Sequence, residues 1–599
     1  MSSARLRLIR IQKRLYRKLQ DEADALLGRP NLAIRRYLSR YERDIGTLGG
    51  RLAFFSKEDL VAEIRRADVT FIGDYHSFAQ AQRTALRLMM AAVKPGENWC
   101  VGLEMIPSHH QGDLDLFQNG QLTAEQFLVR IRYREEWGFP WNHYAPIFAW
   151  AREKGVKLIA LNRPKMMFAG MDSRRLGESE LLKRDQWAAG ILTDLLHDSR
   201  NETRVTERTR PQALRVIVLY GELHVSQSHL PFQFRKIARA FIGKPPSCIS
   251  IHQNHERLYW RVASTGRQLR TDAARIREGV FGVFSSTPWA QLQSLISFME
   301  ADSEAGDDDH QYPRTHGRDD ESDDDGSEPD YHTALSSYAS TIAEFLGVRM
   351  PALDSISLRT IEDADFAESL PSGSELSRRE ISLLKKLVSA NHRFYLPGIG
   401  VAYLGSPSLN ALAELAARCL HRTLTRSRGL HHGGRDDFFR HLLESTFAFF
   451  GSLLINPRRK CDLERDHSRR LRELRQKADE SHPDEPRMRE FCIAFLKWDL
   501  ACIKRKSAPA FPIQLDRACM TWATSAPVVL AAEEAGKVVG KRVHEALISE
   551  RVTVEWVRDH LLAPGKPPSS RLPIYELRYL EIAEALRGLP ALASKSEVL

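Results

Sequence analysis

The apolar and polar positions fall into two regimes along the chain. In the first half, short continuous apolar runs alternate with amphipathic stretches. The runs are Val69-Thr70-Phe71-Ile72, Trp99-Cys100-Val101-Gly102-Leu103, Val156-Lys157-Leu158-Ile159-Ala160-Leu161 and Val216-Ile217-Val218-Leu219-Tyr220. Runs of that length, bounded by glycine or polar residues, predict strands buried on both faces. Between them, Phe78 to Ala92, Thr123 to Arg134, Tyr144 to Lys154 and Leu182 to His197 carry helical spacing. This alternation predicts an α/β domain with a mostly parallel sheet covered by helices. Gln253-Asn254-His255-Glu256 reads as a hairpin turn between two antiparallel closing strands. Upstream, Arg5 to Arg43 predicts one or two amphipathic helices, broken near Gly28-Arg29-Pro30.

Beyond residue 335 the pattern becomes helical throughout. Ala334 to Leu346, Leu376 to Ala390, Leu409 to Thr423, Phe438 to Leu454, Arg487 to Lys504, Ala531 to Arg551 and Glu576 to Arg587 all favour helices. The expected organisation is a basic helical segment over 1–50, an α/β domain over 51–300, a linker over 301–334 and a mainly α-helical domain over 335–599.

Charge sharpens that division. The formal net charge is +10, yet Asp302 to Asp330 is dominated by acidic residues, including Asp307-Asp308-Asp309 and Asp319-Asp320-Glu321-Ser322-Asp323-Asp324-Asp325. So little apolar surface cannot offset ordering entropy, which predicts a disordered tether. A calcium loop is excluded because no glutamate follows at the required offset. Limited proteolysis is therefore expected to cut first in this segment and to release an N-terminal fragment ending between residues 300 and 331. Cleavage elsewhere, with this segment intact, would overturn the two-domain reading.

The rest of the chain is correspondingly basic. Arg5 to Arg14 and Arg469-Arg470-Leu471-Arg472-Glu473-Leu474-Arg475 are the densest stretches. Their apolar residues fall at helical spacing, so the arginines read as the wet face of packed helices rather than a nucleic-acid footprint. An anionic membrane surface is a lesser alternative for the N-terminal segment. No apolar stretch is long enough to span a membrane, and Met1-Ser2-Ser3-Ala4-Arg5 does not lead into a secretory core, which predicts a cytoplasmic protein. Seven cysteines without Cys-x-x-Cys pairing predict buried reduced thiols. His431-His432-Gly433-Gly434-Arg435-Asp436-Asp437 reads as a polar interhelical loop with no assigned chemistry.

The chemistry concentrates at the ends of the apolar runs. Two run directly into Gly-x-x-His: Gly73-Asp74-Tyr75-His76 and Gly221-Glu222-Leu223-His224. A third ends in Glu104, and a fourth in Asn162-Arg163-Pro164. Ligands of open α/β sheets bind at the carboxyl ends of parallel strands. One cleft lined by His76, Glu104, Asn162 and His224 is therefore expected. Any one of these residues alone reads as an ordinary turn residue. The two histidines and the glutamate together favour a site, because an unpaired carboxylate at the end of a buried strand is costly.

These residues carry a resemblance. Phe71-Ile72-Gly73-Asp74-Tyr75-His76, Gly102-Leu103-Glu104-Met105, Trp137, Tyr144-Ala145-Pro146, Leu158 to Pro164 and Tyr220-Gly221-Glu222-Leu223-His224-Val225 resemble the ChaN-like haem-binding uptake family. That family shares a superfamily with Tiki-type proteases and erythromycin esterases. Ile249 to Asn254 and Leu258 to Arg261 resemble its closing pair of strands, so the likeness runs over about residues 60–262. Asp74 stands where the family usually has glutamate, and Ser77 where it has aspartate.

The resemblance implies a haem- or iron-binding module. Its axial ligands would come from His76, His224, Tyr75 or Tyr220, with Glu104 and Asn162 nearby and Arg163 meeting the propionates. Adjacent strand residues alternate faces, so Tyr75 and His76 need not converge. The superfamily also implies a hydrolase acting on a small molecule or peptide. His76, Glu104 and His224 would then hold a divalent metal, or work directly as catalytic base, orienting carboxylate and substrate-binding group. A third reading is a relic cleft on an interaction scaffold, and a homodimer stays open.

Overall fold

A computed structural model describes the chain except for residues 1–2, 29–31, 47–51, 165–177, 206–212, 244, 267–270, 305–330, 354, 361–362, 364–365, 367–377, 390–391, 406–407, 428–433, 478–483, 506, 521–525, 563–573 and 593–599. It divides into two compact units. One covers residues 18–325, and the other combines 1–17 with 326–598. The acidic run and the His431-His432 pair lie outside the described residues.

The α/β unit is built on one sheet of eight strands: β1 (Ala53–Phe55), β2 (Val69–Asp74), β3 (Trp99–Pro107), β4 (Lys157–Asn162), β5 (Arg215–Gly221), β6 (Cys248–Gln253), β7 (Ala273–Arg277) and β8 (Val280–Val283). Their spatial order is β1-β7-β8-β6-β2-β5-β3-β4. The six strands from β8 to β4 run parallel, and β7 and β1 close one edge antiparallel.

The apolar runs are continuous because alternate residues enter opposite cores. Ile72, Val101, Leu103, Leu158, Ile217 and Leu219 share one core with Leu60 and Ile64, Leu88 and Met89, and Ile147 and Phe148 of three helices on that face. Phe71, Val216, Val218 and Tyr220 enter the other, against Ala188, Leu192 and Phe234. A sheet covered on both faces needs no polar alternation.

The expected hairpin at Gln253–Glu256 does not form. β6 pairs in parallel with both β2 and β8. The chain then turns through Asn254, whose φ of 50° is left-handed, into a helix over Glu256–Thr265. That helix buries Leu258, Tyr259, Val262 and Ala263, a helical spacing that the local apolar run disguised as a strand.

In the second unit all seven expected helices are present, with small shifts at their ends. Arg435–Ile455 packs between Leu409–Leu424 and Ala526–Ile548. Among the described residues it is the one helix long and apolar enough to cross a membrane, but nearly all of it is buried inside the unit, as in any core helix. A three-stranded sheet of Phe394–Leu396, Val401–Leu404 and Ser357–Thr360 had no visible sequence signal, since its strands are only three or four residues long. The arginine-rich run lies on Glu464–Lys477, where Arg469, Arg470 and Arg475 pair with Asp466, Glu485 and Glu490. All seven cysteines are unbridged.

Candidate functional site

The four strands whose ends were expected to form a cleft are neighbours in the sheet, in the order β2-β5-β3-β4. Asp74 lies opposite Gly221, Leu103 opposite Leu219, and Pro107 opposite Asn162. β3 continues past Glu104 to Pro107, so this carboxylate projects from within the strand.

Gly221 is the point of convergence. Its N–H donates to Glu104 Oε2 at 2.5 Å. A Cβ added there would lie 3.2 Å from Glu104 Oε2, 3.4 Å from His224 Cδ2 and 3.4 Å from His76 Nε2. A bare backbone thus lets Glu104 from within β3 and the two histidines that follow β2 and β5 gather around one position. His76 Nε2 is 3.9 Å from Glu104 Oε2.

Each histidine is held from behind by an aspartate. His76 Nδ1 lies 2.9 Å from Asp74 Oδ2. The buried Asp74 carboxylate also accepts from the Tyr144 hydroxyl at 2.8 Å and from Gln82 Nε2 at 2.5 Å. His224 Nδ1 lies 2.6 Å from Asp185 Oδ1, and the Tyr37 hydroxyl donates to Asp185 Oδ2 at 2.8 Å. The two differ in access: the His76 side chain is 23% exposed, against 8% for His224. Trp137 and Phe139 flank the His76 ring, with centroids at 4.5 and 4.9 Å.

Between the dyads, Glu104 Oε1 accepts from Arg184 at 2.5 Å. Burial would raise the Glu104 pKa, but Arg184, His76, His224 and the Gly221 N–H together hold it below the usual carboxylate value. Burial would lower that of His76, but the hydrogen bond and charge of Asp74, joined by Glu104, raise it above the usual histidine value.

A metal set of His76, Glu104 and His224 does not form. Among the described residues no three His, Cys, Asp or Glu side chains are placed to hold a metal ion. The reason is visible in their partners. Both Glu104 oxygens are occupied by donors, one of them the cationic Arg184, so this carboxylate is already spent.

Residues 60–207 match the family model for haem-binding uptake, Tiki superfamily, ChaN. The matched stretch contains both aspartates, Glu104, Arg184 and His76, whereas Gly221 and His224 follow it. The chain is also similar to the solved structure of ChaN of Campylobacter jejuni with cofacial heme binding, at 17% identity over 33% of this chain and 86% of that one, with a TM-score of 0.24. The C-terminal region of Pasteurella multocida toxin, with its thiol-protease-like catalytic triad, is similar at 13% identity over 37% of this chain and 26% of that one, with a TM-score of 0.17. This chain thus spans about a quarter of the toxin structure. No curated protein matches.

Four other expected site residues of the ChaN-like region have different occupations. Asn162 Oδ1 accepts from the Arg163 N–H at 2.9 Å, closing its own turn. Arg163 pairs with Glu180 at 2.9 Å. Tyr75 hydrogen-bonds Tyr41. Tyr220 is fully buried, with its ring edge-on to His224. Sequence reading missed Tyr37, Tyr144, Arg184 and Asp185, and saw in Asp74 only a departure from the family pattern. Asp185 had a signal: it shares a helical stripe with Ala188, Ala189 and Leu192, where a charge is out of place.

Proposed function

We propose that the ChaN-like unit binds haem, which His76 would hold through Nε2 beside the ends of β2 and β5. The observation that carries this reading is the buried Asp74 on His76 Nδ1. It fixes the tautomer and leaves Nε2 as the ligating nitrogen of a partly exposed ring. His224, by contrast, is buried behind Tyr37 and suits a supporting role.

The arrangement fits haem better than a hydrolytic metal ion. A catalytic zinc draws three ligands from the protein, whereas haem iron already carries four porphyrin nitrogens and asks for one axial side chain. Trp137 and Phe139 supply apolar surface beside His76, and the Trp137 Nε1–H is a buried donor without a partner. Haem, when bound, supplies the iron centre; this chain supplies the ligand, its orientation and the aromatic wall.

Titrating the full-length protein with haem, read from the Soret band, tests the assignment. His76→Ala should weaken binding by at least about tenfold, as loss of a supported ligand does. His197→Ala, on a half-exposed side chain, should leave it unchanged. The pH dependence has a definite sign. Only neutral imidazole ligates, and the His76 pKa is raised, so affinity should strengthen as pH rises above 6.5. Wild-type affinity in His76→Ala would overturn the proposal. Stoichiometric zinc or manganese lost from that variant would revive the metal hydrolase.

A further inference from the structure

The helical unit contains a second concave site, far from the haem reading in chemistry. A cavity of about 230 Å³ opens among the helices Leu409–Leu424, Arg435–Ile455, Val554–Leu561 and Ile574–Ala585. Its wall carries three arginines, Arg426, Arg440 and Arg578, together with His421, His560 and the hydroxyl side chains of Thr425, Ser427 and Tyr575.

Among the described residues Glu444 is the one carboxylate in that wall, and it is already neutralised. Arg418 and Arg422 hold its two oxygens at 2.9 to 3.0 Å from behind. Arg440 in that wall is less well compensated. The nearest carboxylate contact of Arg440 is Asp437 at 3.8 Å, beyond hydrogen-bond range, and its Nε is buried without a hydrogen bond. Burial lowers its pKa, although a hydrogen bond with the Tyr575 side chain and the charge of Glu444 act to raise it.

Two more polar atoms of the wall are orphaned. His421, 6% exposed, has a buried Nδ1 with no partner, and so does the Ser427 hydroxyl. Buried polar atoms in native folds are nearly always satisfied, so three orphans in one cavity point to an absent polar ligand. Burial lowers the His421 pKa to about 4, so its imidazole is neutral at pH 7 and can exchange a proton-bearing hydrogen bond with the ligand.

We infer that this cavity binds a phosphate-type oxyanion, either free phosphate or a small phosphomonoester, gripped by Arg440 and Arg426 with Ser427 and His421 completing its hydrogen bonds. Arginine forks match phosphate oxygens, and a hydrogenphosphate offers both acceptors and one donor. The volume lies below the usual ligand-pocket range of about 300–1,000 Å³, which excludes a porphyrin or a nucleotide.

Isothermal titration of the full-length protein with inorganic phosphate, glycerol 3-phosphate and chloride, all at one ionic strength, tests this site. Saturable binding of both phosphates, and none of chloride, is expected. Arg440→Gln should weaken it by about tenfold or more, the usual effect of losing a charge-assisted hydrogen bond. Arg426→Gln, at an exposed position, should weaken it too without touching the core, which keeps the test decisive if Arg440→Gln fails to fold. Tighter binding of the ester assigns a phosphomonoester, and equal binding assigns the free anion. No saturable phosphate binding by the wild type, or wild-type affinity in the folded arginine variants, would overturn the inference.

Discussion

Glu444→Ala is expected to destabilise the helical unit by about 3–5 kcal/mol, the usual cost of stripping one partner from a buried ion pair. Glu444 is 2% exposed and accepts from Arg418 at 2.9 Å and Arg422 at 3.0 Å, themselves almost fully buried. Without it, Glu533, 3.2 Å from Arg418, is the remaining carboxylate among the hydrogen bonds of these two guanidiniums. Among the described residues Arg422 would keep the Tyr395 carbonyl at 2.8 Å as its hydrogen-bond partner. Urea unfolding of the full-length protein, followed by far-ultraviolet circular dichroism, measures the loss. A change under about 1 kcal/mol would place the pair in the weak class of solvated surface bridges.

The same network sets an acid limit. Burial would raise the pKa of Glu444, but Arg422 and Arg418 lower it well below 4.5; Arg393 and Arg459 do the same for Glu414. A carboxylate whose folded pKa is depressed contributes its full stability above the unfolded value and loses it as pH falls. The helical unit should therefore weaken as pH falls below about 6.5, where the buried neutral His421 and His544 oppose protonation down to about 4 and about 3, and more steeply below about 4.5 as these carboxylates protonate.

Much of the α/β unit could be read from the sequence because a parallel sheet buried on both faces writes itself as apolar runs. Val69 to Ile72 and Val216 to Tyr220 have no solvent face to confuse the pattern. Those two runs lead into His76 and His224 just past β2 and β5, and the neighbouring β3 carries Glu104. Leu258 to Arg261 misled for a related reason: four residues are too few to separate period 2 from period 3.6. The polar partners were less legible. Tyr37 and Asp185 come from helices 187 and 39 residues away from His224, and only packing brings them to its ring. Pairing also changed what the expected residues can do. Glu104 looked like a metal ligand in isolation, but Arg184, 80 residues later, makes it half of an ion pair. Arg163 looked available for a propionate until Glu180 claimed it.

Gly73→Ala is expected to be the most damaging conservative change in the α/β unit. The added Cβ would run into the Glu222 carboxylate, lying 2.8 Å from its Cδ and 3.3 Å from its backbone Cα. The side chain cannot swing aside cheaply. Glu222 accepts from the Tyr41 hydroxyl at 2.9 Å and from the Gln253 N–H at 3.2 Å, and it lies 2.8 Å from His252 Nδ1, all in a buried layer. The backbone of Gly73 is also held, since Gln253 Nε2 donates to its carbonyl at 2.6 Å. Either the carboxylate keeps its partners and overlaps the methyl group, or it moves and abandons buried hydrogen bonds. Overpacking and lost charged hydrogen bonds each cost about 1–3 kcal/mol, so a total near 3 kcal/mol or above is expected. Asp74 is the next residue, so a displaced β2 should also loosen the carboxylate behind His76 and weaken haem binding in the surviving folded protein. Gly112→Ala, in the helix Gln111–Gln118 with nothing within 4 Å of the new Cβ, should instead gain roughly 0.5–1 kcal/mol from helix propensity. Thermal unfolding of both variants reads the contrast directly. Equal midpoints for Gly73→Ala and the wild type would mean that β2 and Glu222 do not approach as closely as described.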